Sequence, residues 1–218
     1  MRIALVAGEA SGDTLGAALI DALRRRFPAA EFAGVVGPRM KAAGCVAWHG
    51  IEELSVMGLT EVIAHLPKLM RLRSELVRRL TEEWRPDVFI GVDYKEFNLG
   101  LARKLKAQGL ATVQYVSPQV WAWRPGRARN IGEAVDLLLC LFPFEPDFYR
   151  EYGVRAAFVG HPLADQIPLE VDRAAARASF GVASHQRVLA VLPGSRRGEV
   201  EKLSPPFAGA MQLLSRRY

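Results

Sequence analysis

The stretch Ile3-Ala-Leu-Val-Ala-Gly-Glu-Ala-Ser-Gly-Asp13 decides the fold. Its apolar run predicts a strand that is buried on both faces, and the small and polar residues after it predict a turn into a helix. Similar short apolar runs recur along the chain, and longer helical patterns lie between most of them. The predicted strands are Ile3–Ala7, Phe32–Val36, Val88–Val92, Thr112–Val116, Leu137–Leu141 and Ala157–Val159. The predicted helices are Leu15–Phe27, Leu69–Glu83, Leu99–Gln108, Arg127–Ala134 and Pro146–Tyr152.

This alternation predicts an α/β fold: a Rossmann-like parallel sheet with helices on both faces. Sheets of this kind place ligand sites at the carboxyl ends of their strands. The chain carries 29 basic and 23 acidic residues, a net charge of +6, which favours anionic partners such as nucleotides, phosphorylated substrates or acidic lipid surfaces. No apolar run approaches the roughly 20 residues of a spanning helix. Cys45 and Cys140 lie at no metal-ligand spacing and predict buried thiols in a reducing cytosol.

The pattern changes after residue 166. A proline-containing connector leads to a short helix at Arg173–Phe180, and a new strand at Val188–Leu192 precedes another helix. A lone strand-helix unit cannot bury both faces of its own sheet. We therefore predict a complete first domain over residues 1–166 and, over 167–218, a linker with the start of a second Rossmann-like domain.

Two strand exits carry acidic side chains. At the first, Ser11 or Asp13 caps the following helix, whose free amides suit an anion, unless the segment is a plain capped turn. At the exit from Val88–Val92, the carboxylates Asp93 and Glu96 suit a general base and the charge that tunes it. The alternative is solvated charge before a helix cap at Asn98.

Three further exits carry aromatic or basic groups. Trp121, Trp123 and Arg124 either stack on a sugar or acyl chain or form a packed hinge. No aromatic and basic platform repeats along a strand, so nucleic acid is not a predicted ligand. His161 contacts a ligand or forms a structural turn. In the last exit, Gly194, Ser195 and Arg196 suit an anion, although a capped helix with solvated arginines has the same pattern.

One predicted helix has an unusually wide apolar arc. Leu69, Leu72, Leu76 and Leu80 align at helical spacing, which is enough to dock the helix on a sheet. The arc is widened by Val62, Ile63, Leu66, Met70 and Val77, and basic residues flank it. Such a helix either lies at an anionic membrane surface or is a core helix with a solvated face. Pro67 is predicted to start the helix.

Taken together, these stretches resemble the lipid-A-disaccharide synthases. The first matching motifs are Val6-Ala-Gly-Glu-Ala-Ser-Gly-Asp13, Gly37-Pro-Arg-Met40, Val56-Met-Gly58, Pro86-Asp-Val-Phe-Ile-Gly-Val-Asp93, Phe97-Asn98 and Tyr115-Val-Ser-Pro118. The others are Val120-Trp-Ala-Trp-Arg124, Phe142-Pro-Phe-Glu145, Gly160-His161, Leu192-Pro-Gly-Ser-Arg196 and Glu199-Val200. The chain departs from the usual pattern after Asp93, where Tyr94-Lys95-Glu96 replaces Ala-Pro-Asp.

The resemblance implies a GT-B fold, with two Rossmann-like domains facing across a cleft and no metal or cofactor. The first domain receives the acceptor, and the second binds the sugar nucleotide. Leu192-Pro-Gly-Ser-Arg196 would then open the donor domain, so the chain is expected to be the amino-terminal portion of such an enzyme. It also implies a cytoplasmic protein on the inner face of the cytoplasmic membrane, with an anionic membrane surface as a partner.

The implied reaction is an inverting transfer from UDP-2,3-diacylglucosamine to 2,3-diacylglucosamine 1-phosphate. Asp93 matches the catalytic base, and Arg196 matches the group that stabilises the leaving diphosphate. The implied substrate contacts are Gly8, Glu9, Ser11, Gly12, Asp13, Glu96, Asn98, Ser117, Trp121, Trp123, Arg124, His161, Gly194, Ser195 and Glu199. The implied membrane or acyl contacts are Val62, Ile63, Leu66, Leu69 and Met70.

Two alternatives remain open. The first is another GT-B enzyme, such as a UDP-N-acetylglucosamine 2-epimerase. The second is a non-catalytic lipid-binding module at a membrane surface.

Overall fold

The computed structural model describes residues 1–54, 59–194 and 197–217, with the backbone alone over 59–65 and at 197. The chain forms two compact units, Met1–Ile167 and Pro168–Tyr218. The first unit is built on one parallel sheet in the order β3-β2-β1-β4-β5-β6-β7. Its strands are β1 (Arg2–Ala7), β2 (Glu31–Val36), β3 (Val46–Gly50), β4 (Val88–Val92), β5 (Ala111–Tyr115), β6 (Leu137–Cys140) and β7 (Ala156–Phe158). The predicted α/β class is confirmed.

Helices cover both faces of this sheet. In the first unit they are α1 (Ala10–Arg26), α2 (Pro38–Ala42), α3 (Leu59–Arg78), α4 (Lys95–Lys106), α5 (Ala128–Ala134), α6 (Glu145–Arg150) and α7 (Pro162–Gln166). Successive side chains of a strand point to opposite faces. In β1, Ala4 and Val6 accordingly join a core with α3, α4 and α5, whereas Ile3 and Leu5 join one with α1 and α2.

The sequence analysis did not predict β3, α2 or the five-residue helix α7 of the first unit. β3 is an edge strand whose residues are partly or largely exposed, so it lacks a buried apolar run. The helix α2 has only five residues, too few for a helical pattern to emerge. Pro67 lies inside α3, so the prediction that it starts this helix is wrong. It is exposed, and the loss of its amide hydrogen bond is offset by the buried stripe of leucines that follows it.

The two cysteines are buried, as predicted. Burial raises the pKa of the Cys45 thiol to about 12, with Arg24 opposing and Asp13 adding to the shift. Burial also raises the pKa of Cys140 to about 12, and the nearby Glu145 carboxylate raises it further. Both side chains therefore remain neutral thiols at ordinary pH.

The second unit contains α8 (Arg173–Ser179) and α9 (Arg197–Ser215). The predicted strand at Val188–Leu192 is wrong, because this segment is irregular. Val188, Leu189 and Leu192 are more than half exposed. A strand requires a hydrogen-bonded neighbour, and no residue of the described chain pairs with this segment.

The side chain of Asp13 in α1 connects this helix to the start of α2. Its buried carboxylate accepts hydrogen bonds from the backbone amides of Gly37, Arg39 and Met40 at 2.9 to 3.0 Å. These amides belong to the start of α2. The backbone amides in the first turn of a helix have no acceptor within the helix itself. Asp13 lies inside α1, so the prediction that it caps this helix is wrong. The short helix α2 is instead anchored by a carboxylate that lies 24 residues or more before it.

We expect Asp13→Ala to lower the free energy of unfolding of the chain by about 2–4 kcal/mol, because three backbone amides, two of them buried, would lose a charged acceptor. Urea unfolding measures this change. The matched control is Asp21→Ala, which removes an exposed carboxylate from the same helix and should change stability by about 0.5 kcal/mol or less. Equal effects of the two substitutions would contradict the anchoring role.

Candidate active-site crevice

The sheet reverses its direction of growth between β1 and β4. The chain leaves β1 toward β2 on one side and leaves β4 toward β5 on the other. The carboxyl ends of two such strands leave a crevice between the loops that follow them, and ligands of doubly wound sheets bind there. Ala7 of β1 is paired with Val92 of β4, so Gly8 and Asp93 are the first residues beyond the two strands.

The backbone at Asp93 is left-handed. Its φ is 52° and that of Tyr94 is 34°, a region that residues other than glycine adopt rarely and at an energetic cost. Three hydrogen bonds hold this conformation. The Asp93 amide donates to the Tyr115 carbonyl at 2.8 Å, and the Asp93 carbonyl accepts from Gln114 Nε2 at 2.7 Å and from Asn98 Nδ2 at 3.1 Å.

The carboxylate of Asp93 is half-buried and hydrogen-bonded across the crevice. Its Oδ2 accepts from the hydroxyl of Ser11 at 3.2 Å. The structure thus brings together Ser11 and Asp93, two residues that the sequence analysis placed in the same site. Glu96, the other predicted carboxylate, is exposed, and its Oε1 lies 3.8 Å from Lys95 Nζ.

Gly8 and Gly12 serve close packing. Neither has a positive φ, so a left-handed backbone is not what requires glycine at these positions. A Cβ atom on Gly8 would overlap the ring of Tyr94, and one on Gly12 would lie 3.2 Å from the Val92 carbonyl oxygen. Glu9 is the residue before α1, and its side chain forms no capping hydrogen bond with that helix.

Tyr94 covers the base of the crevice. Its hydroxyl donates to the Leu54 carbonyl at 2.9 Å, and its ring stacks on Phe97. Burial raises the pKa of the Tyr94 phenol, and the carboxylates of Glu96 and Glu9 raise it further. The side chain therefore remains a neutral hydrogen-bond donor.

Five of the predicted substrate contacts are buried and support the crevice from beneath. They are Gly8, Gly12, Asp13, Asn98 and Ser117. The suggested cap at Asn98 is also wrong, because Asn98 lies inside α4 and donates to the carbonyls of Val6 and Asp93. These residues have a structural role, and their predicted contact with a ligand stays a prediction.

A buried carboxylate that the sequence analysis did not assign joins two strand exits. Glu145 is 1% exposed and accepts hydrogen bonds from the Ser117 hydroxyl, from Trp121 Nε1 at 3.1 Å and from the Phe142 amide at 2.9 Å. The motif Phe142-Pro-Phe-Glu145 contains it, but a glutamate at the start of a helix is normally exposed. Glu145 thereby fixes the exit of β5 against that of β6.

These two exits present an exposed aromatic surface. The rings of Trp121 and Phe144 meet edge to face at 4.9 Å, and Phe142 stacks on Phe144 at 5.8 Å. Trp123 is 75% exposed, and the Arg124 guanidinium lies 5.7 Å from the centre of its ring. An exposed group of aromatic rings on this scale is typical of a binding surface.

His161 forms a structural turn. Its Nδ1 accepts from the Leu163 amide at 3.1 Å and so caps α7. The same side chain lines a cavity of about 670 Å³, which α1 and α7 also border. Its predicted contact with substrate stays a prediction.

The predicted anion-binding turn belongs to the second unit. Gly194 has φ of 127°, and a Cβ atom there would lie 2.7 Å from Cβ of Glu199. Ser195 and Arg196 lie outside the described residues. The roles assigned to these four residues therefore stay predictions.

The residues of α3 that were predicted to contact a membrane differ in their exposure. Leu66 and Met70 are 51% and 58% exposed, beside the exposed cations Lys68 and Arg71. Leu69 is buried with the leucines that pack α3 on the sheet, so its assignment to a membrane contact is wrong. The side chains of Val62 and Ile63 lie outside the described part of the chain. No helix among the described residues is long and apolar enough to cross a membrane.

The strand order and the crevice at its reversal define a Rossmann-type domain of the GT-B glycosyltransferase fold. The crystal structure of Arabidopsis thaliana UGT89C1 complexed with UDP has this fold. It matches with a TM-score of 0.51 at 14% identity, over 84% of this chain and 55% of that one. The chain belongs to the lipid-A-disaccharide synthetase family, whose sequence profile matches residues 3–218.

Two curated relatives are named lipid-A-disaccharide synthase. The protein of Xanthomonas campestris pv. campestris is 58% identical over 98% of this chain and 49% of its own length. The protein of Pseudomonas aeruginosa is 57% identical over 98% of this chain and 56% of its own length. The chain thus spans about half the length of the curated relatives that it matches.

We expect Gly8→Ala to destabilise the chain by about 1–3 kcal/mol, because the new methyl group must displace the Tyr94 ring. Gly126→Ala is the matched control, since a Cβ there meets no described atom within 4 Å and its φ is not positive. In a Tyr94→Ala background the cost of Gly8→Ala should fall. Urea unfolding of the four proteins measures the coupling, and additive effects would contradict the proposed overlap.

Proposed function

We propose that this chain provides the acceptor-binding half of an inverting glycosyltransferase. The reaction joins UDP-2,3-diacylglucosamine to 2,3-diacylglucosamine 1-phosphate and yields lipid A disaccharide 1-phosphate and UDP. Membership of the family supports the reaction class. The observation that carries the proposal is a half-buried carboxylate, Asp93, held in a strained backbone conformation at the crevice.

Asp93 has the role of the general base. It accepts the proton of the acceptor's 6-hydroxyl while that oxygen forms a bond to the anomeric carbon of the donor. The bond between this carbon and the diphosphate oxygen breaks at the same time, so the configuration inverts and the β-1,6 linkage forms. UDP departs with the bonding electron pair, and the proposal assigns stabilisation of its charge to Arg196.

The surroundings of Asp93 suit this task. Its backbone is fixed by Asn98 and Gln114, so the carboxylate is positioned before the substrate binds. The Ser11 hydroxyl restricts the carboxylate further. The aromatic surface with Trp123 and Arg124 offers stacking for the sugar and apolar contact for acyl chains.

The acylated substrates reside in a bilayer, so the protein that binds them must contact its surface. Leu66 and Met70 expose apolar area beside Lys68 and Arg71, and the chain carries a net charge of +6. Apolar side chains flanked by cations favour an anionic lipid surface. We therefore place the protein at the inner face of the cytoplasmic membrane, with α3 in contact with lipid.

In the full-length protein, we expect Asp93→Asn to lower kcat by about 10²–10⁴-fold, because the amide cannot accept the proton. The assay follows UDP release and disaccharide formation with both acylated substrates. Glu96→Gln, which neutralises an exposed carboxylate three residues away, should retain most of the activity. The reverse pattern would assign the base to Glu96. UDP release without the acceptor would favour another GT-B reaction.

We expect the double variant Leu66→Ser/Met70→Ser to bind anionic vesicles about thirtyfold more weakly, since two apolar side chains that each contribute on the order of 1 kcal/mol at an interface are lost. Its free energy of unfolding should be unchanged. Leu69→Ser is the matched control: it should destabilise the core and leave vesicle binding by the folded protein intact. Unchanged sedimentation of the double variant with vesicles would contradict the membrane contact.

A further inference from the structure

A groove of about 350 Å³ lies beside the crevice, between α4, the exit of β5 and α5. Its apolar walls include Leu99, Val120 and Ile131, of which the last two are buried. Sites for small molecules typically begin at about 300 Å³ and combine apolar walls with a few polar groups. The groove is thus large enough for a phosphorylated monosaccharide without its acyl chains.

Three cations from two separate parts of the chain line this groove. Lys95 and Arg103 come from α4, and Arg127 comes from the turn before α5. Glu96 is the one carboxylate in the lining, and it lies 3.8 Å from Lys95 Nζ. Both side chains are exposed, so solvent screens the pair, and the three cations outnumber this carboxylate.

Arg103 is held in place by the neighbouring helix. Its Nη2 donates to the Asn130 carbonyl at 3.1 Å and lies 3.8 Å from Glu133 Oε2. The carbonyl fixes the guanidinium against α5 without neutralising it, and the carboxylate is too far for a charge-assisted hydrogen bond. The lining therefore has a net positive charge, which an anion would balance.

The groove and the proposed base, Asp93, both lie near the start of α4. Lys95 follows Asp93 by two residues, and Lys95 and Glu96 form the first turn of α4. Lys95 therefore connects the groove to the strand exit that carries the proposed base. Since the groove has three cations and apolar walls, its chemistry suits a phosphate monoester attached to a sugar.

We propose that this groove binds the phosphate of the acceptor sugar, an inference that rests on the proposed function. Arg127 and Arg103 contact the phosphate oxygens, and Lys95 neutralises charge at the end near Asp93. The groove thereby sets the distance between the phosphorylated end of the acceptor and the hydroxyl that reacts. These residues determine acceptor affinity and take no part in proton transfer.

The kinetic test compares Arg127→Ala with Arg129→Ala in the full-length protein. Arg129 is an exposed cation two residues further along, in α5 and outside the groove, so it is the matched control. Arg127→Ala should raise KM for the acceptor about tenfold, the equivalent of one charge-assisted hydrogen bond. KM for the donor and kcat should stay within about twofold by the same reasoning, because proton transfer is untouched. Lys95→Ala and Lys104→Ala form a second matched pair.

A binding test identifies the source of the phosphate. The 218-residue chain is titrated with glucosamine 1-phosphate, glucosamine and inorganic phosphate, and is mixed with phosphatidylglycerol or phosphatidylcholine vesicles. Binding of glucosamine 1-phosphate, but not glucosamine, that weakens in Arg127→Ala and not in Arg129→Ala supports the proposal. Loss of phosphatidylglycerol binding in Arg127→Ala with an unchanged acceptor KM would make the groove a lipid headgroup site and overturn it.

The two proposals fail in different ways. An active enzyme that loses activity in Asp93→Asn, but whose acceptor KM is unchanged in both Arg127→Ala and Lys95→Ala, would refute the groove and leave the reaction standing. An inactive full-length protein that binds glucosamine 1-phosphate through Arg127 would refute the reaction and leave the phosphate site.

Discussion

The conformation of the β4 exit depends on two amide side chains that hold the Asp93 carbonyl. Asn98 also donates to the carbonyl of Val6 in β1. This one side chain of α4 therefore holds both β1 and Asp93, the residue that follows β4. Asn98 Oδ1 and Gln114 Oε1 are buried and have no hydrogen-bond partner among the described residues. Each such group costs about 1–3 kcal/mol. The fold tolerates this cost together with a left-handed aspartate, a combination that is typical of functional sites.

The central strands could be predicted from sequence because both of their faces are buried. Ile3 to Ala7 and Val88 to Val92 form continuous apolar runs that have few alternative structures. The edge strand β3 could not, since its exposed side chains carry no such signal. Val188–Leu192 has the composition of a strand, but strand formation depends on a partner, which composition alone does not reveal.

The rule that ligands bind at strand exits was enough to place Asp93 beside Ser11. The same rule could not separate groups that face the crevice from groups that support it. All the partners of Asp13, and the Ser117 and Trp121 partners of Glu145, are 24 or more residues away along the chain, and only tertiary structure brings them together. Leu69 and Met70 are neighbours in sequence and face opposite environments, because α3 turns by about 100° per residue.

Gly91 shows how little space remains below the crevice. A Cβ atom there would lie 2.7 Å from Gln114 Oε1 and 2.8 Å from Asn98 Cβ. The floor is therefore closed to side-chain enlargement, and evolution cannot widen the site from below. Any change in the width of the crevice must therefore come from the loops around it, because β4 has no room for a larger side chain at Gly91.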